Sequence, residues 1–398
     1  MNMIPYGKHF IDESDIDAVV DILLNAPLTQ GPKISEFERN FAQFVNSKYA
    51  VAVSSCTAGL HIASLAAGLK EGDTLITSPI TFVASSNAGI YVGANVAFAD
   101  IDPASINIDP DSLSLALKKY PNTKVVTPVH FAGYPCEMEE IRTLCDQVGA
   151  VIIEDAAHAL GSKYKNGQMV GSCCYSLMTV FSLHPVKAIA AGEGGVITTN
   201  DELTYRRLLR LRSHGINKGD DQFICLDESM SSSGTNPWYY EMQELGFHYR
   251  ITDIQCALAN SQLKKLPKFI ERRRKIAARY VEAFANNKFL KFAQPLDTLE
   301  SSALHLFVLR INFERLRIDK AQLMRHLKNK NIITQVHYLP VPMHPFYRKN
   351  FFVDPSIYKH SNKYYRDCLS IPIFYSLTDN EQEYVISTIN DSISCEAK

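Results

Sequence analysis

Hydrophobic residues near the start of the chain recur every three or four positions. This spacing predicts two amphipathic helices, over residues 13–24 and 34–45, each with one face turned toward a core. The apolar positions are Ile16, Val19, Val20 and Leu23 in the first stretch, and Phe37, Phe41, Phe44 and Val45 in the second.

Seven short apolar runs follow and have the length and composition of strands buried on both faces. They are Ala50–Val53, Thr74–Thr77, Val96–Ala99, Lys124–Val129, Ala150–Glu154, Met178–Phe181 and Gly195–Thr199. Helical patterns lie between several of them, as in residues 57–68, 137–148 and 202–212. This alternation predicts an α/β fold in which a mostly parallel seven-stranded sheet lies between helices.

The pattern changes after residue 214. Residues 215–244 contain Asp-Asp, Ser-Ser-Ser-Gly and Asn-Pro, which predict a long loop. A helical pattern begins near Ile251, and the rest alternates helices with a few strands, at Leu304–Ile311, Ile333–Val336 and Cys368–Ile371. We therefore predict a large domain over residues 1–245 and a smaller α+β domain over residues 246–398. The extreme N-terminus is expected to pack on the smaller domain.

Composition narrows the class of protein. The 398 residues are 46% apolar and 21% charged, with a net charge of −1, so no basic surface for nucleic acid is expected. No apolar run is long enough to cross a bilayer, and the first residues lack the pattern of a signal peptide. Nine cysteines without a Cys-x-x-Cys spacing indicate neither a disulfide framework nor a metal site. We expect a cytoplasmic protein that binds neither membrane nor nucleic acid.

One lysine stands in an unusual context. Lys187 lies within FSLHPVKAIAAGEGG, where its neighbours are apolar and the nearest charge is Glu193. An ordinary lysine at the surface, with its stem on apolar neighbours, is the simplest interpretation. A lysine removed from water instead has a lowered pKa and is nucleophilic as a neutral amine, which Schiff-base formation with an aldehyde cofactor requires.

Other segments supply the remaining parts of such a site. Asp155 follows an apolar strand and is placed to pair with a pyridine nitrogen, although a helix N-cap is an alternative role. His158 lies one helical turn further on. Cys56 and Thr57 open a helix after a strand, where free amides suit a phosphate or simply receive an N-cap. Phosphate and ring contacts are further expected from Ser182 and Phe82, although Phe82 is equally suited to the core.

These segments together resemble the DegT/DnrJ/EryC1/StrS family of sugar aminotransferases. The resemblance rests on FSLHPVKAIAAGEGG, EDAAHALGSKY, SPITFVASSNA, LTQGPKISEFE and GFHYRITDIQCALA, and it extends over nearly the whole chain. It implies the fold of type I enzymes dependent on pyridoxal 5′-phosphate. Within the family the likeness is greatest to transaminases of the pseudaminic acid pathway. It implies L-glutamate as amino donor, a UDP-linked 4-keto-6-deoxy sugar as acceptor, and a homodimer with shared active sites.

The resemblance also assigns roles by position. It makes Lys187 the catalytic lysine and gives cofactor contacts to Cys56, Thr57, Phe82, Asp155, His158, Ser182 and His248. It places the sugar nucleotide against Tyr6, Ala26, Pro27, Leu28, Thr29, Tyr338, Leu339, Pro340 and Val341. His248 is a departure, because relatives usually have asparagine there, reaching the neighbouring subunit's cofactor phosphate, and Arg250 lies close enough to substitute.

Three alternatives stay open at this point. Another 4-keto or 3-keto nucleotide sugar is a possible acceptor. A dehydratase of the same family is disfavoured, because those relatives carry histidine where Lys187 stands. A non-catalytic cofactor-binding regulator is disfavoured because the chain keeps each expected catalytic group and adds no basic tail.

Overall fold

A seven-stranded sheet forms the centre of the protein in the computed structural model, which describes residues 3–219, 221–295, 299–351 and 353–396. The spatial order is β1-β7-β6-β5-β4-β2-β3. All neighbouring strands are parallel except that β7 runs antiparallel to both β1 and β6. The strands are β1 (Tyr49–Val53), β2 (Thr74–Thr77), β3 (Asn95–Phe98), β4 (Thr123–Thr127), β5 (Val151–Asp155), β6 (Met178–Ser182) and β7 (Gly195–Thr199). The predicted α/β class and all seven strands are confirmed.

Helices cover both faces of this sheet. Because side chains alternate along a strand, Ala50 and Ala52 of β1 pack into one hydrophobic core and Val51 and Val53 into another. The first core includes α2 (Pro32–Val45), α5 (Pro110–Lys119) and α6 (Met138–Val148), and the second α3 (Cys56–Ala66), α4 (Ala84–Tyr91) and α7 (Glu202–Arg212). The preceding α1 (Glu13–Asn25) packs on a long helix, α9 (Asp253–Phe284).

The long helix α9 (Asp253–Phe284) joins the two parts of the chain. Thr252 caps it in a reciprocal arrangement with Gln255, which satisfies amides of the first turn. Its first half, as far as Ile270, lies in the core of the large sheet, and its second half, from Ile276, lies in the core of the C-terminal part. One continuous helix therefore contributes to both cores, and the domain boundary at residue 245 stays a prediction.

The C-terminal part is built on a three-stranded antiparallel sheet of order β12-β13-β14. Its strands are β12 (Leu290–Phe292), β13 (Phe307–Ile311) and β14 (Cys368–Ile371), and its helices are α10 (Lys320–Asn329), α11 (Pro345–Asn350), α12 (Lys359–Asp367) and α13 (Asp379–Cys395). The expected strand at Ile333–Val336 is reduced to single bridges, between Ile332 and Ile4 and between Gln335 and Ser370. Ile4 also packs in this part's core, so the N-terminal segment lies against it.

The described part of residues 215–244, which leaves out residue 220, contains only short elements, as a loop of this composition predicts. They are β8 (Ile216–Asn217), α8 (Leu226–Ser229), β9 (Met230–Ser231), β10 (Gly234–Thr235) and β11 (Glu241–Met242). Several large apolar side chains here are exposed, among them Ile224, Trp238 and Met242. Across the described ranges, none of the helices combines the length and the apolar character that crossing a membrane requires.

Candidate active site

A pocket of about 420 Å³ lies where β1, β2, β5 and β6 end. Parallel strands bring their carboxyl ends to one edge of a sheet, which is where open α/β folds bind ligands. Residues that follow these strands line the pocket together with Tyr6 of the N-terminal segment and three residues of the C-terminal part. The lining comprises Tyr6, Cys56, Thr57, Leu60, Thr81, Phe82, Ala84, Val129, Asp155, Ala157, His158, Ser182, His184, Val186, Lys187, Glu193, His305, His337 and Tyr338.

Lys187 projects into this pocket from the loop after β6. Its amide donates to the carbonyl of His184 at 2.8 Å, which closes a turn and fixes the direction of the side chain. Among the described residues Lys187 forms no ion pair within 4.0 Å. Loss of water around the amine lowers the pKa of Lys187 to about 8, with a partial offset from Cys56 and Asp155. About a tenth of the amine is therefore neutral at pH 7, far more than for an ordinary lysine.

Asp155 is the buried carboxylate of the pocket. One carboxylate oxygen, Oδ2, accepts a hydrogen bond of 2.6 Å from Ser85 Oγ, and Oδ1 accepts from the amide of Ala157 at 3.0 Å. Thr81 Oγ1 lies 2.7 Å from Ser85 Oγ. Because the Ser85 proton is engaged with the carboxylate, Thr81 is the donor to Ser85. This chain of donors holds the carboxylate in one orientation.

His158 is held in a single tautomer. Its Nδ1 accepts from the amide of Ala132 at 3.2 Å, and Nε2 lies 3.0 Å from the hydroxyl of Tyr338. Burial and the positive charge of Lys187 put the pKa of His158 well below its ordinary value, so the ring is neutral. A neutral ring that accepts at Nδ1 carries its proton on Nε2. His158 therefore donates to Tyr338, and the Tyr338 proton is free to donate into the pocket.

The first turn of α3 supplies amides for an anion. Ser55 caps the helix, because its hydroxyl accepts a hydrogen bond from the amide of Ala58. The amides of Cys56 and Thr57 lie in the first turn, where the helix provides no carbonyl acceptor, so they can bind an anion. Gly195 packs directly against this turn. A Cβ there would lie 2.7 Å from the Ser55 carbonyl oxygen and from the Cys56 nitrogen. The last glycine of GEGG is therefore needed for the close approach of two backbone segments.

Most of the predicted site residues meet in this one pocket. Cys56, Thr57, Asp155, His158, Ser182 and Lys187 line it together, as do Tyr6, Phe82 and Tyr338. Phe82 is 59% exposed, so it is a pocket surface rather than the core residue considered as an alternative. The ring of Tyr6 lies 5.3 Å from that of His337.

Other residues that were predicted to belong to the site lie outside this pocket. His248 is exposed and stacks on His214 with 5.4 Å between ring centroids. Residues 26–29 do not line the Lys187 pocket, and Thr29 pairs instead with Thr252. Leu339 and Pro340 are also absent from its lining. Contacts of these residues with a site in a second subunit stay predictions.

Val341 differs from the expectation most clearly. Its side chain is fully buried in a cluster with Val96, Phe98, Tyr347 and Tyr358, and its amide donates to the Pro79 carbonyl. The sequence HYLPV gives no sign that Tyr338 lines the pocket while Val341 is buried in a core, because the chain turns between these two residues.

Several residues that line or support the pocket were not predicted from the sequence. Thr81 and Ser85 lie four residues apart on one turn of SPITFVASSNA, a spacing that placed both on one face. His184 and Glu193 lie close to Lys187 in the sequence, and this closeness could have indicated that they line the same pocket. His305 and His337 come from the C-terminal part, and nothing local to their sequence indicated a pocket.

The pocket can accommodate pyridoxal phosphate. Lys187 provides an amine of lowered pKa, and Asp155 provides a buried carboxylate in a fixed orientation. The start of α3 provides two free amides, beside the hydroxyls of Thr57 and Ser182. These groups match the aldehyde, the pyridine nitrogen and the phosphate of that cofactor in kind. The site is therefore suited to proton transfer between an amine and a carbon acid.

Comparison with known proteins agrees with this chemistry. The model of the DegT/DnrJ/EryC1/StrS aminotransferase family matches residues 9–390. The spore coat polysaccharide biosynthesis protein SpsC of Bacillus subtilis is 38% identical over 393 residues, covering 98% of this chain and 97% of its own. PseC of Helicobacter pylori, an aminotransferase involved in the biosynthesis of pseudoaminic acid, has a TM-score of 0.88 at 27% identity, covering 99% of this chain and all of that one. The PLP form of the sugar aminotransferase Spr1654 of Streptococcus pneumoniae, described as putative, gives the same TM-score and identity over 99% of each chain.

Proposed function

Because this chain belongs to the DegT/DnrJ/EryC1/StrS aminotransferase family, we propose that it moves the amino group of L-glutamate to a UDP-linked keto sugar. The chain is a sugar aminotransferase dependent on pyridoxal phosphate. The proposed acceptor is UDP-4-keto-6-deoxy-N-acetyl-L-altrosamine, aminated at C4. The product is then UDP-4-amino-4,6-dideoxy-N-acetyl-β-L-altrosamine, for pseudaminic acid biosynthesis.

One observation carries the aminotransferase chemistry. The Lys187 amine, with its pKa lowered to about 8, shares a pocket with a buried carboxylate and the open end of a helix. The structural likeness to PseC supports the particular acceptor.

The protein's own groups have separable tasks. Pyridoxal phosphate, when bound, supplies an electrophilic carbonyl and a ring that withdraws electrons. Asp155 is placed to pair with the ring nitrogen, because Ser85 and the Ala157 amide hold its carboxylate in one orientation. The amides of Cys56 and Thr57 are placed to bind the phosphate. Lys187 Nζ would, as a neutral amine, accept the proton from the α-carbon of the bound amino donor and hold it as an ammonium group.

A spectroscopic titration tests this proposal. The purified holoenzyme should lose its visible cofactor absorbance on addition of L-glutamate and regain it on addition of the keto sugar. Bleaching without recovery would reject this acceptor but retain the amino donor. Lys187→Ala should abolish turnover, whereas Lys70→Ala, at an exposed position outside the pocket, should not. Turnover at the original rate by Lys187→Ala would contradict the proposal.

A second acceptor class has support of its own. The relative at 38% identity is named for spore coat polysaccharide biosynthesis, and its name specifies no pseudaminic acid step. Another 4-keto or a 3-keto nucleotide sugar is therefore the second candidate. NMR of the product formed from each candidate sugar separates them, because the amine appears at C3 or C4 with a defined stereochemistry.

We also propose that the protein is a homodimer with shared active sites. The exposed apolar side chains of residues 224–245 provide a surface that a second copy would cover. His248 and residues 26–29 are accessible for contacts across such an interface. Sedimentation of the purified protein tests this, since a monomer at micromolar concentration would reject it.

A further inference from the structure

His305 occupies a pocket position to which neither motif nor resemblance gives a role. Its ring lies 4.4 Å from the ring of His158, measured between centroids, and it lines the same pocket as Lys187. Its amide donates to the carbonyl of Ala132 at 2.9 Å, and its carbonyl accepts from Arg273 at 3.2 Å. The backbone on both sides of His305 is therefore fixed, and the ring has a defined place in the pocket wall.

The two ring nitrogens of His305 have different surroundings. Nδ1 is buried and has no hydrogen-bond partner. Nε2 is not fully buried, and no atom of the described chain forms a hydrogen bond with it. Burial, with the nearby charge of Lys187, puts the pKa of His305 well below its ordinary value, so the ring carries one proton. An orphaned acceptor is tolerated more readily than an orphaned N–H, so the proton belongs on Nε2. His305 thus presents a donor to the pocket.

A packing role does not account for this residue. The side chain is only 5% exposed, and an apolar side chain of similar size would fill the space without burying a nitrogen that has no partner. A buried polar group that remains incompletely satisfied, with its other end in a ligand pocket, is typical of a binding residue.

We propose that His305 is a substrate-recognition residue that donates a hydrogen bond from Nε2 to an oxygen of the reacting molecule. This rests on the aminotransferase function proposed above. No arginine lines the pocket among the described residues, and Lys187 is the reacting amine. Within one subunit, recognition of an oxygen therefore relies on neutral donors, of which His305 and Tyr338 are two. The oxygen is either a carboxylate oxygen of the amino donor or an oxygen of the sugar.

Binding of unreactive probes to the holoenzyme tests the proposal without turnover. Glutarate represents the amino donor without its amine, and UDP-N-acetylglucosamine represents the acceptor without its ketone. Isothermal titration gives both dissociation constants for the wild type, His305→Leu and His305→Gln. Leucine removes the donor, whereas the glutamine amide can place an N–H near the position of Nε2. His326→Leu, at an exposed site on α10, is the matched control.

The expected result is a loss of about tenfold or more in affinity for one probe in His305→Leu, as removal of one hydrogen bond predicts. Glutamine should restore most of it, and His326→Leu should match the wild type. A loss for glutarate identifies the carboxylate, and a loss for the UDP-sugar identifies the sugar oxygen. Unchanged binding of both probes, equal losses in both His305 variants, or a wild type that binds neither probe would overturn the proposal. Failure of amino transfer with intact, His305-dependent binding would instead refute the proposed function alone.

Discussion

The buried Lys187 amine should make the cofactor-free protein less stable at neutral pH than at alkaline pH. Burial lowers its pKa from the ordinary 10.5 to about 8. Between these two values the unfolded chain holds a proton that the folded protein has released, so stability rises with pH across this window. Below pH 8 the folded protein must carry a poorly solvated ammonium group. The full difference corresponds to about 3 kcal/mol, as an order of magnitude.

Lys187→Met removes this charge and keeps a flexible chain of similar length. The variant without cofactor should be more stable than the wild type at pH 7, by up to about 3 kcal/mol from the charge term. The gain should shrink as pH rises toward 10.5. Any benefit from methionine packing is independent of pH, so the change with pH isolates the amine. Other groups titrate in both proteins and cancel in the difference.

Urea unfolding of the two cofactor-free proteins, at intervals from pH 6.5 to 10.5, measures this quantity. Lys70→Met is the control, because Lys70 is exposed and should give no pH-dependent difference. The rate of cofactor rebinding by the wild type provides a second readout. It should rise about tenfold per pH unit and level off near pH 8, as the neutral amine becomes the main form. A stability difference that stays constant over this range would refute the reasoning.

Three further substitutions test the supports of the site. Ser85→Ala removes the donor to Asp155 Oδ2 and should weaken cofactor binding by about tenfold, measured by dialysis and absorbance, and lower the free energy of unfolding by about 1–3 kcal/mol. Gly195→Ala forces a Cβ to within 2.7 Å of the Ser55 backbone and should cost about 1–3 kcal/mol in stability, with slower cofactor binding; unchanged binding would count against the packing argument. Asp253→Ala deprives two amides at the start of α2 of their acceptor, at 2.8 and 2.9 Å, and should lower the free energy of unfolding by about 1–3 kcal/mol, which thermal unfolding would show.

Sequence patterns were sufficient for the large sheet because its strands are buried on both faces. A run such as Met178–Ser182, which is buried at every position, is then mostly apolar, and the helices between runs show their own spacing. The same rule located the site, since Asp155 and the start of α3 directly follow strands whose ends share an edge. Lys187 was recognisable because its neighbours offer it no charge.

The C-terminal part was harder to predict, because its pairing is not local. The stretch Ile333–Val336 is apolar enough for a strand, yet only single bridges form there. The interval between Tyr338 and Val341 likewise places one side chain in the pocket and the other in a core.

The chain by itself therefore determined the fold class and predicted which residues, Lys187 among them, form the candidate cofactor site, since both depend on burial and spacing along a few residues. Tertiary structure alone decided which groups complete the pocket. Ser85 reaches Asp155 across 70 residues of sequence, and His305 meets His158 because Ala132 bonds both. The proton arrangement of these histidines follows from those distant partners, because a tautomer depends on which atoms lie opposite each nitrogen.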